Sequence, residues 1–338
     1  MAYSIRANAH AVLFPAFADT ELSDGVKRFL SQGGCSILLG ETRQEYVARD
    51  MAGERKQNET AETFQAITRE AKSLGGDLLV AVDQEIAGIC RLHGLVPPFP
   101  PRERIGGQDE AAFEALCAEI AGAAKLLGVN CFLAPILDVV TGGNPWLRNR
   151  TWSTDAAAIG RLSSAYVRGV QSRGVAATAK HFPGYPRIEL DPAEEAGARM
   201  NERREAVENC LVPFAEAIRN KVEIVMTGPA IVEALDPENP ASLSPAIIGL
   251  LRENLGFPGL VMSDDLDAPA TLRGRPITQV AVDALNAGAD LLLIANTGNQ
   301  IDRIAQAIAG AVGSGDLSEA RLAQAAAIVR ALAVKYGC

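Results

Sequence analysis

Eight short apolar segments recur along the chain, each followed by a longer stretch that mixes polar and apolar residues. Within the short segments the apolar residues are continuous, which is typical of strands buried on both faces of a parallel sheet. The predicted strands are 11–17, 35–40, 78–85, 130–138, 176–184, 223–231, 259–265 and 291–296. Amphipathic stretches between and after them predict helices at 111–128, 201–221 and 318–335, the last opened by Ser318.

Eight strands alternating with helices in 338 residues predict an α/β fold, a (β/α)8 barrel of the TIM type, with residues 1–338 forming a single domain. A doubly wound open sheet is the alternative. That fold usually has fewer strands and often a glycine-rich turn after the first one. Here the first strand leads into PAFADTELSDG, which is no such turn.

Composition excludes several kinds of partner. The net charge is −9, and no Lys/Arg cluster suits a phosphate backbone, so no nucleic acid is expected. No apolar stretch approaches membrane-spanning length and no signal peptide is evident, so we expect a cytoplasmic protein without a membrane partner. The six cysteines are scattered without a CxxC pair, which favours buried, reduced thiols over a metal site. The oligomeric state is not indicated.

Polar side chains follow the predicted strands at the edge where barrel enzymes place their chemistry. They are Asp83, Glu85, Asp138, Arg150, Lys180, His181, Asp264 and Asp265. Some of these residues also have a purely structural explanation. Asp138 or Asp265 could cap a helix, and His181 could be a core imidazole. Arg150, like Arg91 after the third strand, could form a salt bridge across the rim. Because cations, an imidazole and carboxylates converge on one mouth, a polar small-molecule site is favoured.

Five sequence blocks in order resemble glycoside hydrolase family 3. They are VDQE (82–85), LAPILDV (133–139), GGNP with its following arginine (142–150), KHFPG (180–184) and the long block from Asn239 to Leu266 that ends in SDDL. The chain is most similar to the single-domain β-N-acetylglucosaminidases of bacterial cell-wall recycling. The resemblance covers residues 78–297.

This resemblance implies a retaining mechanism on β-linked N-acetylhexosaminides, with Asp264 as the nucleophile. It also implies a set of sugar-binding residues: Asp83, Arg91, Arg150, Lys180 and His181. The expected partner is a small-molecule glycoside or amino-sugar fragment. The mechanism requires neither a metal nor an organic cofactor.

The loop after the fifth strand departs from the family pattern. Aligned without gaps, residues 185–188 (YPRI) replace the family's His-Gly-Asp-Thr, and Ala193 falls on the histidine that gives the proton in the related enzymes. Glu194 or Glu195 would then act as general acid/base, since burial under a closed loop can raise a carboxyl pKa. Alternatively, Asp191 and Pro192 start a helix that the two glutamates stabilise. The chain would then be a slow glycosidase that depends on a good leaving group. A separate alternative is a catalytically impaired or repurposed sugar-binding barrel that lacks the family's histidine acid/base.

Two further departures concern other strand ends. Ile86 and Ala87 replace a glycine pair after the third strand, and Gly88 replaces the arginine that follows it in the family pattern, which predicts a different turn there. The sixth strand ends in Gly228–Pro229, where the family usually has Ala-His, so a polar group has been lost from the rim.

Overall fold

Eight parallel strands form a closed ring in the computed structural model, which describes residues 3–295 and 300–337. The strands lie side by side in the order in which they occur along the chain. A parallel bridge from Met262 to Leu291 closes the ring, and the Ser263 amide donates to the Leu291 carbonyl at 2.9 Å. The predicted (β/α)8 barrel is confirmed. The assignment of residues 1–338 to one domain stays a prediction.

Two sets of strands are present in the described residues. The barrel consists of β1 (Leu13–Phe17), β2 (Ser36–Leu39), β3 (Leu79–Val82), β4 (Cys131–Phe132), β5 (Ala176–Phe182), β7 (Ile224–Thr227), β10 (Leu260–Ser263) and β11 (Leu292–Ile294). A small sheet on the loops after β5 and β7 consists of β6 (Arg199–Met200), β8 (Ile231–Val232) and β9 (Asp236–Pro240).

Helices surround the barrel, and some of the short ones lie in the loops at its carboxyl end. They are α1 (Ile5–Ala11), α2 (Asp24–Ser31), α3 (Arg43–Ala48), α4 (Gly53–Asn58), α5 (Ala61–Gly75), α6 (Arg102–Ile105), α7 (Glu110–Leu126), α8 (Ala156–Gln171), α9 (Arg204–Arg219), α10 (Pro245–Gly249), α11 (Pro269–Leu272), α12 (Ile277–Ala287), α13 (Gln300–Ser314) and α14 (Glu319–Gly337). A 3₁₀ turn (Ala241–Leu243) precedes α10 and a π-helical turn (Leu250–Asn254) follows it. Within the described ranges, no helix is long and apolar enough to cross a membrane.

Each predicted strand contains an observed one, but the observed strands are shorter. The polar residues at the predicted ends, such as Asp83 and Asp138, leave the sheet and turn into the site. The predicted strand 291–296 ends in Asn296, which lies outside the described residues, as do Thr297 and Cys338. The predicted helices 111–128, 201–221 and 318–335 correspond to α7, α9 and α14, with boundaries shifted by one to three residues.

Continuous apolar burial holds the barrel together. All residues of the short central strands β2, β3, β7 and β10 are buried, because helices cover the outside and side chains fill the inside. The thiols of Cys35, Cys117, Cys131 and Cys210 are free and buried, and Cys90 is half-buried. Burial raises the pKa of the Cys35 thiol to about 12, consistent with an inert structural role.

The end of β7 is shaped by a neighbouring tyrosine. The Tyr185 ring packs on Gly228, and its hydroxyl donates to the Ala230 carbonyl at 3.0 Å. A Cβ atom on Gly228 would lie 2.2 Å from a Tyr185 ring carbon. Tyr185 and Gly228 both stand where the family pattern has different residues. The large side chain of Tyr185, after β5, therefore requires a residue without a side chain at Gly228, after β7.

We expect Gly228→Ala to lower the free energy of unfolding by about 1–3 kcal/mol, because the added methyl group displaces the Tyr185 ring. Urea denaturation measures the change. In a Tyr185→Ala background the same substitution should cost much less, since the obstructing ring is gone. Gly143→Ala is the matched control, because its new Cβ meets no atom within 4 Å. Equal costs in both backgrounds would contradict this account.

Candidate active site

A cavity of about 630 Å³ opens at the carboxyl ends of the barrel strands. Its wall combines apolar side chains with a ring of polar and aromatic ones. The polar and aromatic wall residues include Glu41, Tyr46, Asp83, Trp146, Arg150, Lys180, His181, Asp264 and Asp265. A cavity of this size, mostly apolar with a few convergent polar groups, is typical of a small-molecule site.

Glu85 is fully buried and pairs with two cationic side chains, those of Arg150 and Lys180. Its Oε1 accepts from Arg150 Nη2 at 2.6 Å and lies 2.9 Å from Lys180 Nζ, while its Oε2 accepts from Arg150 Nε at 3.2 Å. Lys180 also donates to Asp83 Oδ1 at 2.6 Å. The loops after β3 and β4 are thereby bound to strand β5 through one fully buried carboxylate.

The charge states of this cluster support one another. Burial opposes ionisation of Glu85, but Arg150 and then Lys180 hold the pKa of its carboxyl well below the usual range. Burial likewise opposes the charge on Lys180, yet Asp83 and Glu85 raise its pKa above the ordinary value. Glu85 and Lys180 are therefore both charged at neutral pH, and Asp83, which pairs with Lys180, lines the cavity.

The turn after β3 is built around Glu85. The Ile89 amide donates to Glu85 Oε2 at 3.1 Å, and the Arg91 amide donates to the Asp83 carbonyl at 2.8 Å. A Cβ atom on Gly88 would lie 1.9 Å from Glu85 Oε2. The glycine that replaces an arginine of the family pattern is therefore required by the position of this carboxylate.

Arg91 lies behind the cavity wall. Its guanidinium forms two bonds to Glu59, at 2.5 and 2.9 Å, and its Nε donates to the Gly40 carbonyl at 2.7 Å. The alternative of a salt bridge is therefore realised for Arg91, as it is for Arg150 with Glu85. The sugar contact expected of Arg91 stays a prediction, whereas Asp83, Arg150, Lys180 and His181 all line the cavity.

His181 is fixed on two sides. Its Nδ1 lies 2.8 Å from Asp138 Oδ2, and its backbone amide donates to the same oxygen at 3.0 Å. Because a carboxylate only accepts hydrogen bonds, Nδ1 carries a hydrogen and Nε2 faces the cavity. The indole of Trp146 packs on the imidazole, with ring centroids 4.4 Å apart. Asp138 therefore orients His181 and caps no helix.

Asp264 follows β10 and faces His181. Its Oδ2 is buried without a hydrogen-bond partner and lies 4.0 Å from His181 Nε2, while its Oδ1 accepts from the Asp265 amide at 2.7 Å. The side chain is 15% exposed to the cavity. A carboxylate with one anchored oxygen and one free oxygen suits attack on a bound electrophile.

Asp265 holds the loop beside Asp264. Its Oδ1 accepts from the Asp267 amide at 2.8 Å and from the Ala295 amide at 3.4 Å. Burial and then the Asp267 carboxylate raise its pKa to about 8. Asp264 and Asp265 thus line the same cavity in different environments, and the carboxyl of Asp265 keeps its proton at neutral pH.

The loop that should carry the proton donor presents Ala193 to the cavity. The predicted alternative of a helix at Asp191 is wrong. Asp191 Oδ1 accepts from the Ala193 amide at 2.9 Å, and its carbonyl accepts from the Glu194 and Glu195 amides, which makes a single turn. Glu194 is 56% exposed and pairs with Arg43 at 2.8 Å, and Glu195 is exposed.

The sequence pattern did not identify several wall residues, among them Glu41, Tyr46 and Trp146. Tyr46 OH accepts from Trp146 Nε1 at 3.0 Å and from Arg150 at 3.2 Å, so it links two loops. Glu41 follows the second apolar segment directly, so the rule that found Asp83 would also have found it. Among residues 3–295 and 300–337, no group of three or more His, Cys, Asp or Glu side chains is arranged to hold a metal ion.

Comparison with known proteins places this geometry in a family. The model of the glycosyl hydrolase family 3 N-terminal domain matches residues 28–332. A β-hexosaminidase of Methylococcus capsulatus is 28% identical over 247 residues, covering 72% of this chain and 74% of that protein. A β-hexosaminidase of Hydrogenovibrio crunogenus is 30% identical over 275 residues, covering 78% and 76%.

A solved structure has the same arrangement of elements. It is a glycoside hydrolase family 3 β-N-acetylglucosaminidase from Paenibacillus sp., with a TM-score of 0.87 and 28% sequence identity. The match covers 99% of this chain and 63% of that one, so this chain spans less than two thirds of its length.

We expect Glu85→Gln to lower the free energy of unfolding by about 3–5 kcal/mol at pH 7, because it leaves buried Arg150 and Lys180 short of one negative charge. Urea denaturation measures the loss. Glu194→Gln is the control, because its exposed pair with Arg43 should contribute less than about 1 kcal/mol. Equal, small losses for both variants would contradict a structural role for the buried cluster.

Proposed function

The chain belongs to glycosyl hydrolase family 3, and from this premise we propose that it is a retaining glycosidase for β-linked N-acetylhexosaminides, with Asp264 as nucleophile. The substrate class follows the names of its relatives, which are β-hexosaminidases and a β-N-acetylglucosaminidase. The expected ligand is a small glycoside or amino-sugar fragment in the cavity at the barrel mouth.

The observation that carries this proposal is the position of Asp264. Its free Oδ2 lies on the cavity wall, close to His181 and on the same rim as Asp83 and Lys180. A sugar ring bound by Asp83, Lys180 and His181 would present its anomeric carbon to a carboxylate already anchored through Oδ1. Attack then requires little rearrangement of the protein.

The reaction proceeds in two displacements. Asp264 Oδ2 bonds to the anomeric carbon while the bond to the leaving oxygen breaks, and that oxygen takes a proton. Water then attacks the same carbon, a base accepts its proton, and the ester bond to Asp264 breaks. The paired donors and acceptors of Arg150, Lys180 and His181 would hold the hydroxyl groups through both steps.

The proton donor is the incomplete part of the site. Glu194 or Glu195 can reach the leaving oxygen if the loop 191–198 turns over the bound sugar and the pair from Glu194 to Arg43 opens. That pair is exposed, so opening it costs little. Without such closure, hydrolysis depends on leaving groups that depart without a proton.

A second function is supported by Ala193. This residue lines the cavity at the position that a histidine holds in the family pattern, while the sugar-binding side chains are retained. A repurposed sugar-binding barrel has these properties. The hydrolase is favoured over it because Asp264 is retained, anchored through Oδ1, and lines the cavity.

The nucleophile is tested with an aryl N-acetylglucosaminide whose leaving group needs no acid. We expect Asp264→Asn to lower kcat by about a thousandfold or more, because the amide forms no glycosyl ester. Asp155→Asn is the matched control, since Asp155 caps α8 far from the cavity and Asn caps a helix equally well. Turnover that survives in Asp264→Asn would refute the nucleophile. No turnover by the wild type, together with sugar binding, would favour the second function.

The donor is tested with the same enzyme and two leaving groups. If Glu194 or Glu195 donates the proton, its change to Gln should slow a poor leaving group about 100-fold or more and a good one far less. Measured kcat/KM for a nitrophenyl and an alkyl glycoside gives the two ratios. Equal slowing of both substrates, or none, would rule out the residue concerned as the donor.

A further inference from the structure

Glu41 lines the cavity at the end of β2 and has no role in the proposed reaction. Its Oε2 is buried without a hydrogen-bond partner. The backbone beside it is held in place, because the Gly40 carbonyl accepts from Arg91 and the Thr42 side chain caps α3. A fixed carboxyl group with an unsatisfied oxygen on a cavity wall is suited to contact a ligand.

The charged groups around Glu41 are already paired with other side chains. It faces Asp83 and Glu85 from the loop after β3, Arg91 from the turn beyond them, and Lys180 from β5. Lys180 is bound by Asp83 and Glu85, and Arg91 is bound by Glu59. Glu41 therefore lies beside two carboxylates that are already paired with cations, and among the described residues no ion pair joins Glu41 itself to a cation.

The proton state of Glu41 follows from this environment. Burial, and then the carboxylates of Asp83 and Glu85, raise its pKa to about 8. The other basic side chains on the described cavity wall are engaged elsewhere: Arg43 with Glu194, Arg150 with Glu85, and His181 with Asp138. At neutral pH, Glu41 is a neutral acid next to Asp83, which pairs with Lys180.

We propose that Glu41 is a substrate-recognition residue that donates its carboxyl hydrogen to a sugar hydroxyl, next to the acceptor Asp83. This inference rests on the proposed function, since it assumes that a sugar occupies the cavity. A hydroxyl group both accepts and donates, so a neutral carboxyl beside a carboxylate offers both complementary partners. The same pair would repel an anionic substituent at this position.

The sign of the pH dependence follows directly. Below pH 8 Glu41 holds its proton and can donate. Above pH 8 it ionises, loses the donor and adds a second negative charge beside Asp83. Affinity for a neutral sugar should therefore fall as pH rises. If only the protonated form binds, affinity at pH 9 is about tenfold lower than at pH 6.

Calorimetric titration of the full chain with N-acetylglucosamine between pH 6 and pH 9.5 tests the proposal, because binding is read without hydrolysis. Wild type should lose affinity above pH 8. Glu41→Gln keeps a donor without a titrating proton, so its affinity should stay constant across this range. Glu41→Leu should bind about tenfold more weakly at pH 6. Thermal melting verifies that each variant is folded.

Asp265→Asn is the matched control, because Asp265 shares the cavity and its pKa is also raised to about 8. It should retain the alkaline loss of affinity. An alkaline loss that persists in Glu41→Gln, or disappears in Asp265→Asn, would overturn the assignment to Glu41. Wild-type binding that is constant with pH would overturn it too, while leaving the hydrolase proposal intact. No sugar binding at any pH would refute both.

Discussion

The buried contact of Glu85 with Arg150 and Lys180 is the interaction on which the cavity depends. A fully buried carboxylate is costly unless cations compensate it, and here two cations from different elements do so. Satisfying that charge fixes strand β5 relative to the loops after β3 and β4. It also holds Asp83 at the cavity wall, because Lys180 bridges the two carboxylates.

Contacts extend from this cluster to the reacting groups through aromatic side chains. Arg150 reaches Tyr46, Tyr46 binds the Trp146 indole, and Trp146 packs on His181. His181 in turn lies 4.0 Å from Asp264. The position of Asp264 is therefore coupled by packing and hydrogen bonds to a charge on the other side of the barrel mouth. In the described part of the cavity wall, Arg43, Arg150 and Lys180 are each paired with a carboxylate, which favours a neutral ligand over an anion.

The departures from the family pattern are coordinated with one another. Tyr185 fills space that only Gly228 leaves open, and Gly88 leaves the space that the Glu85 carboxylate occupies. The loop that carries Ala193 forms a single turn pinned by Asp191, and Glu194 pairs with Arg43 on the facing loop. These substitutions leave in place the cavity wall formed by Asp83, Arg150, Lys180 and His181.

The sequence determined the barrel, because eight continuous apolar segments can be buried only as a two-sided parallel sheet. It also located Asp83, Lys180, His181 and Asp264, because a polar residue that follows a buried strand must emerge at the rim. The tertiary structure decided which of these residues face the cavity. Arg91 turns to Glu59 and Glu194 turns to Arg43, since a charged side chain is oriented by its nearest partner in space. Burial, and then two carboxylates that lie more than forty residues away in the chain, raise the pKa of Glu41, and no local pattern encodes that proximity.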